Sequence, residues 1–240
     1  GREFVQVKYL GEEQVLLAFR TVPRDHEDWA ALRLVDMILD NSVAGLINLD
    51  LVEAQAVRAA GAFPQNMNDY GAQYLYGSPK EGQTLREVED LLLAQLEKIK
   101  KGEFEDWVLP AVINDFKKRR KQDLEENQKR VELMRDTFLA YRDWNQTASE
   151  IEHLEQVDKA QIVAAANQYF GNDYVSGHRI DAQHDLPQIE KPKIDPLSID
   201  PDRASAFMEE VETIEAKPFA PKYLEPDADY QVRQIRPGLT

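Results

Sequence analysis

The prolines of this 240-residue chain are segregated, and that constrains its fold more than any motif does. Eight of the twelve follow His178: Pro187, Pro192, Pro196, Pro201, Pro218, Pro221, Pro226 and Pro237. No glycine lies between Gly177 and Gly238. Proline without glycine makes a stiff, extended connector. Its far end holds only Tyr230-Gln-Val-Arg-Gln-Ile-Arg236, too short to fold alone. The expected organisation is therefore a body over 1–184, a proline-rich connector over 185–228 and the start of a following domain over 229–240. Such a chain reads as a piece of a larger protein, and Gly1 in place of methionine agrees with that.

A body of this length is long enough for one well-buried core. With no cysteine there is no disulfide, thiolate ligand or cysteine nucleophile. The formal charge of −15 disfavours phosphate-rich partners, so nucleic acid is not expected. No apolar run is long enough to cross a bilayer, so no membrane association is expected. The compartment stays open between a bacterial periplasm and cytoplasm.

Apolar spacing organises the body. Phe4-Val-Gln-Val-Lys-Tyr9 alternates as a half-buried strand does. Val15-Leu-Leu-Ala-Phe19 is a continuous run that predicts a strand covered on both faces, with Gly11 in the turn between the two. Asp25 predicts a helix start, and Trp29, Leu32, Val35, Ile38 and Leu39 give that helix a wide apolar face. A short helix through Leu46, Leu49 and Leu51 follows, then a hairpin made by residues 54–63 and Tyr70-Gly-Ala-Gln-Tyr-Leu-Tyr76. Thr84 and Glu87 form a capping box before Leu85, Val88, Leu92, Leu96 and Ile99, and Gly102 ends that helix. A long helix over about 106–141, broken near Glu126 and Asn127, carries Val131, Met134, Phe138 and Tyr141. A last helix runs from Asp158 to Gly171, and a strand at 174–180 closes the body. The order β-β-α-α-β-β-α-α-α-β predicts the α+β class, a mostly antiparallel sheet with helices on one face. In the tail, Asp200-Pro201 predicts the start of a short helix over 201–214 with Phe207, Val211 and Ile214 as its stripe.

Catalytic signatures are scarce. His26-Glu-Asp-Trp-Ala30 begins like the zinc motif H-E-x-x-H but has alanine at the second ligand. The inverted form H-x-x-E-H is absent. His178 and His184 lack an obvious third ligand beyond Asp181 or Asp185. No G-x-S-x-G elbow or phosphate-cradling glycine loop occurs. Lys117-Lys-Arg-Arg-Lys121 reads as a solvated helix face, with Asp123, Glu125 and Glu126 in reach for pairing, or as a dock for an acidic partner. Tyr70, Tyr74 and Tyr76 share one face of one strand. They form either a peptide-contacting wall or ordinary sheet packing.

These segments resemble, in their order, the insulinase/pitrilysin-type (M16) zinc metallopeptidases. The resemblance rests on residues 28–39, Gly45-Leu46 and Leu51-Val-Glu-Ala-Gln55. Glu87-Val-Glu-Asp-Leu-Leu-Leu93, Lys98-Ile-Lys-Lys-Gly-Glu-Phe104, Val157-Asp-Lys-Ala-Gln-Ile162 and Asn167-Gln-Tyr-Phe-Gly171 extend it. It covers about 4–181 and implies a LuxS-like α+β domain of the second, non-catalytic kind. It implies no catalytic and no metal-binding residue in this chain. Zinc would belong to the parent's catalytic domain, and the partners would be other domains of the same polypeptide and a peptide substrate. The 191–201 stretch resembles the connector between the two halves of such enzymes. On this reading the domain lines the chamber wall and tethers the second half. The alternative it leaves open is an inactive scaffold or processing-peptidase partner that binds peptides without cleaving them.

Overall fold

The computed structural model describes residues 1–42, 44–183, 190–197, 200, 203–215, 220, 223, 225, 228 and 229. Five strands form one sheet: β1 (Glu3–Tyr9), β2 (Gln14–Thr21), β3 (Ala59–Asn66), β4 (Gly71–Ser78) and β5 (Tyr174–Asp181). Their order across the sheet is β1-β5-β2-β4-β3. Only the β1–β5 pair is parallel, so the sheet is mostly antiparallel. β5 inserts between the first two strands, which therefore make no hairpin with each other.

Side chains alternate across the sheet because successive Cβ atoms point to opposite faces. One face carries Val15, Leu17 and Phe19 of β2, Gln73 and Leu75 of β4, and Tyr174, Ser176 and His178 of β5, all buried. Against it lie α1 (Trp29–Leu39), α2 (Leu85–Lys101) and α7 (Lys159–Tyr169). Leu34, Val35, Ile38 and Leu39 of α1 and Val88, Leu92 and Ile99 of α2 are fully buried there. Each such aliphatic side chain contributes about 1.5–3 kcal/mol by leaving water. Phe19 fills the centre, edge-on to Phe170 at 5.4 Å and stacked on Tyr174 at 4.9 Å. At Gly77 a Cβ would stand 2.6 Å from Val88 Cγ1, so the glycine lets α2 settle directly on β4.

Caps fix the helix ends. Thr84 accepts from the Glu87 amide while the Glu87 side chain returns to the Thr84 amide, and Gly102 ends α2 at φ +69°. Asp158 and Gln161 form the same box at the start of α7. Between α2 and α7 the expected break near Glu126 and Asn127 separates α3 (Val108–Asp123) from α4 (Asn127–Leu139), and two short helices not expected from the sequence follow, α5 (Trp144–Ala148) and α6 (Glu150–Glu155). The short helix expected after α1 is a single π-helical turn, Asn48–Glu53.

Three local expectations are corrected. β1 is an edge strand whose seven residues are all exposed, rather than half-buried. β2 is covered on one face only, because Leu16 and Ala18 point to the side opposite α1, α2 and α7. α1 begins after Asp28, not Asp25, and Asp28 makes no side-chain cap.

The chain divides into two compact units, 1–186 and 187–240. In the second, α8 (Ala206–Glu212) is capped by Ser205, which accepts from the Met208 amide, rather than starting at Asp200. Phe207 and Val211 are exposed on it, and Ile214 is exposed just beyond its end. The expected strand over 230–235 lies outside the described residues. Among the described residues no helix is long and apolar enough to cross a membrane.

Candidate peptide-facing surface

The hairpin of β3 and β4 lies at one side of the sheet, and its register sets the surface. Phe63 pairs with Tyr74, and Gly61 with Tyr76. Ala18 joins Tyr74 to Val175, so Val175, Ala18, Tyr74 and Phe63 form one row across the sheet. Val5, Gly177, Leu16, Tyr76 and Gly61 form the next. Both rows lie on the face opposite the helices. Phe63 and Tyr74 stack at 5.0 Å and 17°, and Tyr76 tilts toward Phe63 at 6.3 Å. Tyr76 lies over Gly61, where a Cβ would come within 2.6 Å of its hydroxyl. The Tyr74 hydroxyl donates to Gln65 Oε1 at 3.1 Å.

Tyr70 stands one residue before β4, exposed, with the Arg20 guanidinium 5.1 Å from its ring centre. A cleft of about 560 Å³ opens here, between Tyr70, Arg20, Ala18, Ala72 and Val175. Tyr74 and Tyr76 thus meet at the Phe63 ring, while Tyr70 lines the cleft at the end of β4. Sequence reading missed Phe63, Leu16, Val5, Val7 and Val175 as members of this face. Alternation within each strand was the available signal, but the strand order needed to assemble them was not legible.

The histidines take structural positions. His26 Nδ1 accepts from the Asp28 amide at 3.1 Å on an exposed loop. His178 meets fully buried Glu89 at 2.9 Å, and Glu89 also receives Arg2 at 2.6 Å and the Tyr174 hydroxyl at 3.3 Å. His184 lies outside the described residues. Among the described residues no three or more His, Cys, Asp or Glu side chains are grouped to hold a metal, so the residues around His26 do not fit a zinc site. The basic run lies on α3 and is largely neutralised. Lys117 pairs with Glu155, Arg119 with Asp115 at 2.8 Å and Arg120 with Glu150 at 2.8 Å. These acids precede the run on α3 or come from α6, instead of being the Asp123, Glu125 and Glu126 expected from spacing.

Two titrations are shifted strongly. Burial pushes Asp36 up to about 6, against the opposing pull of Arg33 and of the Gln73 hydrogen bond. Burial, then its hydrogen bond to Asp28, pushes the Tyr169 phenol up to about 12. Neither group lies on the uncovered sheet face.

Residues 3–116 match the sequence model of the peptidase M16 inactive domain. No curated protein sequence matches the chain. Among solved structures, a Helicobacter pylori protease aligns with a TM-score of 0.71 and 18% identity, over 75% of this chain and 44% of its own. An inactive peptidase domain from Bordetella parapertussis aligns with a TM-score of 0.63 and 17% identity, over 75% of this chain and 99% of its own. The periplasmic protease PqqL from Escherichia coli aligns with a TM-score of 0.56 and 13% identity, over 75% of this chain and 21% of its own. The chain thus spans less than half of the Helicobacter pylori protease and about a fifth of PqqL. Residues 3–116 thus carry the sequence of a peptidase M16 inactive domain, and the body shares the fold of such domains.

Proposed function

We propose that this domain forms part of the wall of a peptide-holding chamber in a zinc-dependent peptidase and presents its uncovered sheet face to the peptide. The carrying observation is that face itself. Rows led by Val175, Tyr74 and Phe63, and by Val5, Leu16 and Tyr76, present exposed apolar side chains on four strands and half-buried Tyr74 and Tyr76 on β4, on the face opposite α1, α2 and α7. Aromatic and aliphatic groups with polar tips suit varied peptide side chains. Peptide-bond hydrolysis and zinc belong on this reading to another domain of the same polypeptide; among the described residues nothing around His26 or His178 is grouped to hold the metal. The proline-rich 185–228 stretch is the tether to the following half.

The test is made in the peptidase that carries this domain. An aromatic contact worth about 0.5–1.5 kcal/mol corresponds to a KM raised about two- to tenfold in Tyr74→Ala and Phe63→Ala. Zinc content should stay unchanged. An unchanged KM in both variants sinks the reading. If the carrier binds peptides but never cleaves them, the domain serves a scaffold or partner subunit instead.

A further inference from the structure

On the helix-covered side, away from the sheet face just described, two guanidiniums bracket one indole. Arg24 and Arg142 place their guanidinium carbons 5.9 and 5.4 Å from the Trp29 ring centre. Among the described residues neither has a carboxylate within ion-pair distance. Arg142 makes one hydrogen bond, at 3.5 Å, to the Gln146 carbonyl. Nearby Glu150, which also lines the cavity and acts on Arg142 at longer range, is ion-paired to Arg120 at 2.8 Å. Beneath the guanidiniums, Trp29 is 8% exposed. Its indole Nε1 and the Nε of Arg24 are both buried without an acceptor. Both atoms are donors only, and buried donors are rarely left unpaired. Beside them a cavity of about 340 Å³ opens between the start of α1, α5, α6 and the start of α7.

Like charges held together over an unpaired donor call for an anion. We propose that this cavity binds a small monocarboxylate, clamped between the Arg24 and Arg142 guanidiniums with the Trp29 indole N–H as a third donor. A planar carboxylate matches the guanidinium fork, and the weak Gln146 contact leaves Arg142 free to turn onto it. Ala30 and Val157 supply apolar wall for a short aliphatic tail. Asp25 and Glu27, exposed at the rim, repel a second negative charge, which disfavours phosphate and dicarboxylates. Burial lowers the Arg142 pKa, as do Arg24 and Arg120, against the opposing pull of Glu150 and Asp25.

The test is a titration of the whole chain with butyrate, succinate and inorganic phosphate at constant ionic strength. The Trp29 indole N–H resonance is followed in a Trp107→Phe, Trp144→Phe background. Those two indoles are 55% and 47% exposed, so their removal leaves the fold in place and a single signal to read. The site predicts a saturable downfield shift with butyrate and affinity at least about tenfold weaker in Arg24→Met and Arg142→Met. Arg142→Lys, which keeps charge but loses the fork, should fall between. Three results would overturn the assignment: no saturable shift in the unsubstituted arginine background, equal or tighter binding of phosphate or succinate, or unaltered affinity in both methionine variants.

Discussion

Asp36 should be more stabilising as an amide than as an acid at neutral pH. Its carboxylate is buried on α1, where Oδ1 accepts from Gln73 Nε2 at 2.8 Å and Oδ2 from Arg33 at 3.2 Å. Burial raises its pKa from 3.8 to about 6 in the folded chain. Below pH 3.8 both states hold the proton. As pH rises, the unfolded chain loses it first, so the unfolded state binds fewer protons and stability falls until about pH 6. A shift of about two units amounts to about 3 kcal/mol. In Asp36→Asn the Gln73 contact survives, because the amide oxygen still accepts. The partly exposed Arg33 contact is lost at about 1 kcal/mol or less. The variant should therefore be more stable than the parent at pH 8 by about 2 kcal/mol, equivalent to a Tm rise of about 4–8 °C for a chain of this size. At pH 4 it should be less stable by about 1 kcal/mol or less. Urea denaturation followed by circular dichroism at both pH values reads the difference directly. A variant less stable than the parent at both values, or a difference that is flat with pH, would refute the burial argument.

Other perturbations probe the same frame. Glu89→Ala removes a fully buried carboxylate on α2 that holds Arg2, just before β1, and His178 of β5, leaving His178 buried and unpaired. It should cost about 3–5 kcal/mol in urea denaturation, and a loss below about 1 kcal/mol would contradict that role. Gly77→Ala forces a methyl to within 2.6 Å of Val88 Cγ1 beneath α2. It should destabilise by about 1–3 kcal/mol, whereas a neutral result would mean that α2 is free to shift away from β4.

Local chemistry was legible in the sequence and distant pairing was not. The capping box at Thr84 and the helix start at Asp158 sit where spacing put them, because a cap is decided within four residues. The hairpin strand holding Tyr74 and Tyr76 was read nearly to its ends for the same reason. β1 was misread because its partner β5 lies about 170 residues away, and a parallel edge leaves no turn signature. The continuous apolar run of β2 suggested cover on both faces, but Leu16 and Ala18 line the open side. α5 and α6 are too short to show a period. Glu89 falls in register with the apolar stripe of α2, four residues after Leu85. That was the one hint of its burial, since its partners Arg2 and His178 lie just before the first strand and on the last. The Arg24, Trp29 and Arg142 cluster left no trace because separate segments assemble it.

The uncovered sheet face is the central claim, and proximity labelling tests it most directly. A photoreactive phenylalanine analogue is placed at position 74 on that face, and separately at position 97 on the exposed side of α2. Both are made in the full-length protein that carries the domain and irradiated in the presence of a peptide. The account predicts peptide crosslinked through position 74 and not through position 97. Crosslinking through position 97 alone, or equally at both, would contradict it.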